Sequence, residues 1–83
     1  MATLRAKKIY SDTDLILLLI EAVEFQPIKT TFGYQLIGSM KPIAVIVSNS
    51  NETYAFDMET NKKGLEDMKQ SFSELDTLIA PFF

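Results

Sequence analysis

The sequence predicts a small α+β domain, an antiparallel meander of three or four strands with two helices on one face. Three observations point there. Two stretches alternate apolar and polar residues with a period of two, as half-buried strands do. One segment near the end carries apolar residues at three- and four-residue spacing, the mark of an amphipathic helix. The links between these segments are short and rich in Gly, Ser and Asn, which favours sequence-adjacent antiparallel pairing. The 83 residues form one domain with no repeat, no low-complexity tract and no linker.

The elements follow in order. Thr3 to Tyr10 is a weak strand candidate with poor alternation. Ser11-Asp12-Thr13-Asp14 offers hydroxyls and carboxylates suited to a helix start, and a helix is expected from there to about Phe25, stopping before Gln26-Pro27. Ile28 to Ile37 alternates as a strand, and Gly38-Ser39 opens a connection. Pro42 to Val47 is apolar throughout, as a central strand covered on both faces would be. Ser48-Asn49-Ser50-Asn51 is turn chemistry, and Thr53 to Met58 alternates again. The last helix begins near Thr60-Asn61, carries Leu65, Met68, Phe72, Leu75 and Leu78 or Ile79 on one stripe, and stops at Pro81.

Composition narrows the chemistry. The chain has no Cys, no His and no Trp, so no disulfide framework, no Cys/His zinc spacing and no imidazole base can be built from it. Glu21 with Glu24, Asp57 with Glu59 and Glu66 with Asp67 are the paired carboxylates, and each reads as a solvated surface or a helix start. Asp57-Met58-Glu59-Thr60-Asn61 imitates the opening of a calcium loop, but Lys62 stands where glycine is needed and Met68 where glutamate is. Gly33, Gly38 and Gly64 stand alone, so there is no phosphate-binding glycine pattern. No catalytic residue, cofactor or metal is expected, and the chain reads as a non-enzyme. Asp12 and Asp14 interrupt any signal-peptide pattern, and the run Leu15–Ile20 is far short of the roughly 20 residues that span a bilayer. The expected setting is therefore cytoplasmic, without a membrane. In that setting Asn51-Glu52-Thr53 is a turn rather than a glycosylation acceptor.

Association is the leading functional expectation. A chain of this size buries only about 60–65% of its unfolded surface, so a second subunit is an available source of stability. On the expected first helix the apolar arc is about twice the width needed to pack on a sheet. The central strand asks for apolar cover on both faces, and Phe82-Phe83 adds two large side chains. These features nominate Ile16, Leu17, Ile20, Val23, Phe82 and Phe83 as an interface for a homodimer or for another protein subunit.

RNA is the alternative partner. From residue 12 onward the expected order helix–strand–strand–strand–helix resembles the double-stranded RNA-binding domain and the small RNA-binding subunits of the signal recognition particle. The resemblance implies that lysines at the start of the last helix clamp phosphates, and Lys62 and Lys63 occupy that place, with Arg5, Lys7 and Lys8 as further bases. It is a resemblance of topology: the family's glycine-proline loop and alanine-rich helix are missing, and Glu66 and Asp67 oppose phosphate binding. The net charge of -3 weighs the same way.

Overall fold

A computed structural model describes residues 2–83. Five antiparallel strands form one sheet in sequence order: β1 (Ala2–Ser11), β2 (Leu15–Thr30), β3 (Gly33–Asn49), β4 (Thr53–Asp57) and β5 (Lys62–Lys63). Two short helices follow, α1 (Leu65–Ser71) and α2 (Leu75–Ile79), and a single 3-10 turn covers Ala80–Phe82. The α+β class holds, while the strand count and the element order differ from expectation.

The largest difference lies at Leu15–Phe25, which is strand rather than helix. The wide apolar arc is the reason. Read with a period of two, Ile16, Leu18 and Ile20 fall on one face and Leu15, Leu17 and Leu19 on the other, so both faces of a central strand are apolar. β2 pairs with β1 on one side and β3 on the other, a use of its backbone that a helix forgoes. The expected helix cap is a turn device instead. Asp12 Oδ1 accepts the N–H groups of Asp14 (2.8 Å) and Leu15 (2.9 Å), which closes the β1–β2 turn.

The expected strand Ile28–Ile37 is folded in two at Thr31-Phe32. There Thr30 Oγ1 accepts the Phe32 N–H at 3.3 Å and donates to the Gly33 carbonyl at 3.1 Å. Gly33 has φ 126°, a backbone setting closed to most side chains, so this glycine defines the turn. Gly38-Ser39, expected to be a connection, lies inside β3 opposite Phe25 and Glu24. Asn49 and Asp57 repeat the Asp12 device: each side-chain Oδ1 accepts the backbone N–H groups two and three residues on, at 2.8–3.1 Å. The single long final helix becomes two. Lys62-Lys63 pairs with Phe56 and Asp57, α1 starts only at Leu65, and an extended Phe72 (φ -129°, ψ 91°) separates α1 from α2. The expected stripe survives the break. Met68, Leu75 and Ile79 are buried, and Leu65, Phe72 and Leu78 pack against the same cluster.

That cluster is the core. Residues directly opposite in antiparallel strands share a face. Leu18 with Ile46, Ile20 with Ala44, and Ile46 with Ala55 are such pairs, and all five side chains are fully buried beneath Met68, Leu75 and Ile79. Burying a side chain the size of Leu18 or Ile46 contributes about 1.5–3 kcal/mol. Lys69 ties the two helices together, its Nζ 2.9 Å from Asp76 Oδ1. This hydrogen bond raises the Lys69 pKa above its ordinary 10.5.

Candidate interaction face

The register sorts the remaining apolar residues onto the other side of the sheet. Leu17 lies opposite Val47, and Val47 opposite Tyr54; Leu19 lies opposite Val45, and Val45 opposite Phe56. None of these six belongs to the helix-covered cluster. They form an apolar patch on a face that carries no helix. Five are half-buried by their own neighbours in the sheet, and Phe56 is exposed.

The same face continues outward. β1 pairs with β2 only as far as Glu24, and β4 pairs with β3 only at Ala44–Ser48. Beyond Glu24 and Ser39 the two long strands have, among the described residues, no neighbours but each other and project as a two-stranded arm. The molecule accordingly measures 55 × 25 × 21 Å. On the side continuous with Leu17 and Leu19, the register places Val23 with Met40, Phe25 with Gly38, Pro27 with Leu36 and Lys29 with Tyr34. On the opposite side stand Glu24 with Ser39, Gln26 with Ile37 and Ile28 with Gln35. The apolar residues are thus concentrated on one side of the arm. Phe25 lies directly over Gly38: a Cβ added there would sit 3.0 Å from its ring. Phe32 at the tip is completely exposed, and Phe25, Tyr34, Leu36 and Met40 are exposed as well. Pro27 is accommodated because β2 is an edge there, and Pro42 because β3 bulges beside it, at Ile43.

Between the body patch and the arm sits one ion pair. Glu21 is 7% exposed, and Arg5 Nη2 donates to its Oε1 at 3.4 Å, with half of the arginine side chain open to solvent.

The residues nominated from sequence separate by face. Leu17 and Val23 are on the uncovered side, whereas Ile20 is fully buried and Ile16 packs against the core. Phe82 also packs against the core, and Phe83 is exposed. The arm residues Phe25, Tyr34, Leu36 and Met40 were missed because a turn was placed at Gly38 instead of Gly33. Alternation through Ile28–Ile37 had signalled a strand but not its reversal.

The five bases do not form one surface. Arg5, Lys7 and Lys8 lie on β1 and Lys62 and Lys63 on β5, at opposite edges of the sheet. Arg5 is engaged by Glu21. Lys63 Nζ is 3.2 Å from Glu52 Oε1 and 4.1 Å from the Tyr54 ring centre. The element order also removes the topological basis of the resemblance to RNA-binding domains. Among the described residues no group of three acidic side chains is placed to hold a metal ion, and no helix is long and apolar enough to cross a membrane. Clefts among the described residues include two shallow ones. One, between β5 and α1, holds Asp57, Lys62 and Asp67; the other joins the Asp12 and Asn49 turns. In both, the Asp or Asn side chain is already committed to closing its turn.

No protein-family model, no curated protein and no solved structure matches this chain.

Proposed function

We propose that this protein is a non-catalytic association module that works through the uncovered side of its sheet. The observation that carries this reading is the apolar character of one side of the sheet, with Leu17, Leu19, Val45 and Val47 in the body and Val23, Phe25, Leu36 and Tyr34 in the arm, on either side of the Arg5–Glu21 pair. Large contiguous apolar patches of this kind mark interaction surfaces. A two-stranded ribbon is also marginal in water by itself, so the arm gains order from whatever covers it. The function is then to hold subunits together, and self-association is its simplest form.

The test is light scattering after size exclusion, with mass taken from refractive index because the chain has no Trp and only three Tyr. The expected species is a dimer. Leu19→Lys places a charge in the middle of the body patch while leaving the helix-covered core untouched. It is expected to yield a monomer with an unchanged circular dichroism spectrum. A wild-type chain that stays monomeric at high micromolar concentration refutes self-association.

A further inference from the structure

We infer that the outer edge of β3 in the arm pairs antiparallel with the same edge of a second copy. This contact runs along the rim of the sheet. It is separate from the uncovered side and adds to the association proposed above.

An open edge strand is a template for another strand, and proteins guard their edges with lysine, proline, bulges or brevity. Among the described residues every other edge of this sheet is guarded. β1 carries Arg5, Lys7 and Lys8 and a bulge at Ile9. β2 carries Pro27 and Lys29 where it becomes an edge. β5 is two residues long, and both are lysine. On β4 the Ala55 carbonyl accepts the Gly64 N–H at 2.8 Å, and Lys63 Nζ stands over Tyr54. Residues 33–40 have none of these devices. They carry no charge, no proline and no bulge, and no described strand pairs on their outer side.

Pro27 shows which backbone groups are free there. It has no N–H, so its pair with Leu36 is of the type without mutual hydrogen bonds. Backbone groups alternate in direction along a strand, so those of Tyr34, Leu36, Gly38 and Met40 point away from β2. A second copy, related by a two-fold axis perpendicular to the sheet, brings the same four residues in the opposite direction. One register pairs them all: Tyr34 with Met40 and Leu36 with Gly38, with Ile37 opposite Ile37 on the axis. A slide of one repeat toward the bodies sets Phe32 against Ala44, whose outer side Asp57 already occupies. A slide the other way leaves Met40 opposite the turn residue Phe32. The segment is thus its own complement: outward groups meet outward groups, Tyr34 meets Met40, and no like charges are opposed. The arm becomes half of a four-stranded ribbon, past the two strands that are marginal in water. The pairing is closed, since each edge is used up by one partner. A contact this narrow is weak and shows at high concentration.

The test uses Leu19→Lys, so that the uncovered side does not contribute, and follows amide exchange as concentration rises into the millimolar range. The amides of Tyr34, Leu36, Gly38 and Met40 are expected to slow at least about tenfold, while those of Gln35 and Ile37, already directed at β2, change little. Adding Ile37→Lys at this exposed position sets like charges opposite each other on the axis and is expected to abolish the gain. The native chain has no Cys, so an engineered disulfide reports unambiguously. Ile37→Cys is expected to cross-link to itself on mild oxidation, because opposed residues of this pair type lie about 4.5 Å apart at Cα, within disulfide range. Gln35→Cys, which faces Ser39, is expected to cross-link to itself far more slowly. Unchanged exchange at the four amides, equal slowing at all arm amides, or equal cross-linking of the two Cys variants overturns the edge contact and leaves the uncovered-side reading standing. A wild type that is monomeric on the sizing column, yet shows alternate protection and the Ile37→Cys cross-link, refutes that reading and leaves the edge contact standing.

Discussion

Leu18, Ile20, Ala44 and Ile46 lie between sheet and helices, out of reach of water, while Phe25, Tyr34, Leu36 and Met40 stand open on the arm, although all eight belong to β2 and β3. The two regions share strands, hairpin register and apolar character. They differ in what surrounds them. In the body β1 and β4 flank the pair and α1 and α2 cover one face; in the arm no other described residue forms a strand or helix alongside. The difference teaches that apolar content alone does not make a core. Stability sits where a second layer exists, and among the described residues nothing forms such a layer over the arm.

The comparison can be broken most forcefully in the body. Ile46→Ala removes a fully buried side chain from the centre of the core and is expected to lower stability by about 2–5 kcal/mol, read as a fall in the urea midpoint. Next comes the seam between the regions. Arg5→Ala leaves Glu21 largely buried without its partner. Because half of the arginine side chain is solvated, the expected loss is only about 1 kcal/mol, measured the same way.

Effects in the arm should be local. Gly33→Ala meets no steric obstacle within 4 Å but strains a backbone at φ 126°. It is expected to favour opening of the tip by about 1 kcal/mol, seen as faster amide exchange near Thr30 and Gly33 with little change in the global midpoint. At the β1–β2 turn, the hydrogen bond from Tyr10 (2.7 Å) and the Asp14 N–H hold the Asp12 pKa below its ordinary 3.8. A depressed acid stabilises the fold above its unfolded pKa. The turn should therefore hold at neutral pH and loosen only as pH falls below 3.8 through the depressed value, followed by amide shifts at Asp14 and Leu15. Tyr10, donating to Asp12, titrates above its ordinary 10.0. The smallest effect is expected for Phe32→Ser. A completely exposed side chain contributes within about 0.5 kcal/mol, so thermal unfolding of the protomer should not move.

The legible parts of the fold were those with one dominant period. The strand at Thr53–Asp57, the apolar centre of β3 and the stripe Leu65–Met68–Phe72–Leu75–Ile79 follow from spacing alone. Leu15–Phe25 was ambiguous because a run apolar at nearly every position satisfies both periods, and tertiary pairing decided between them. Asp12 could not arbitrate, since accepting two backbone N–H groups serves a helix start and a tight turn equally. The face was half legible. That β3 needs apolar cover on both sides was plain from Ile43–Val47, and Leu17 and Val23 were nominated for an interface, but together with Ile16 and Ile20, which lie on the core side. The arm was not, because its reversal depends on the backbone angle at Gly33, which composition does not reveal.

Strand order along the sheet repeats order along the chain, and the two helices follow all five strands. During translation, hairpins can therefore close one after another as they leave the ribosome, each strand meeting a neighbour already made. The lid arrives late. At about 5–20 residues per second, Leu18 and Ile20 wait several seconds for Met68, Leu75 and Ile79 to emerge. In that interval both faces of the nascent sheet are bare, so this is the stage at which a chaperone has most to shield.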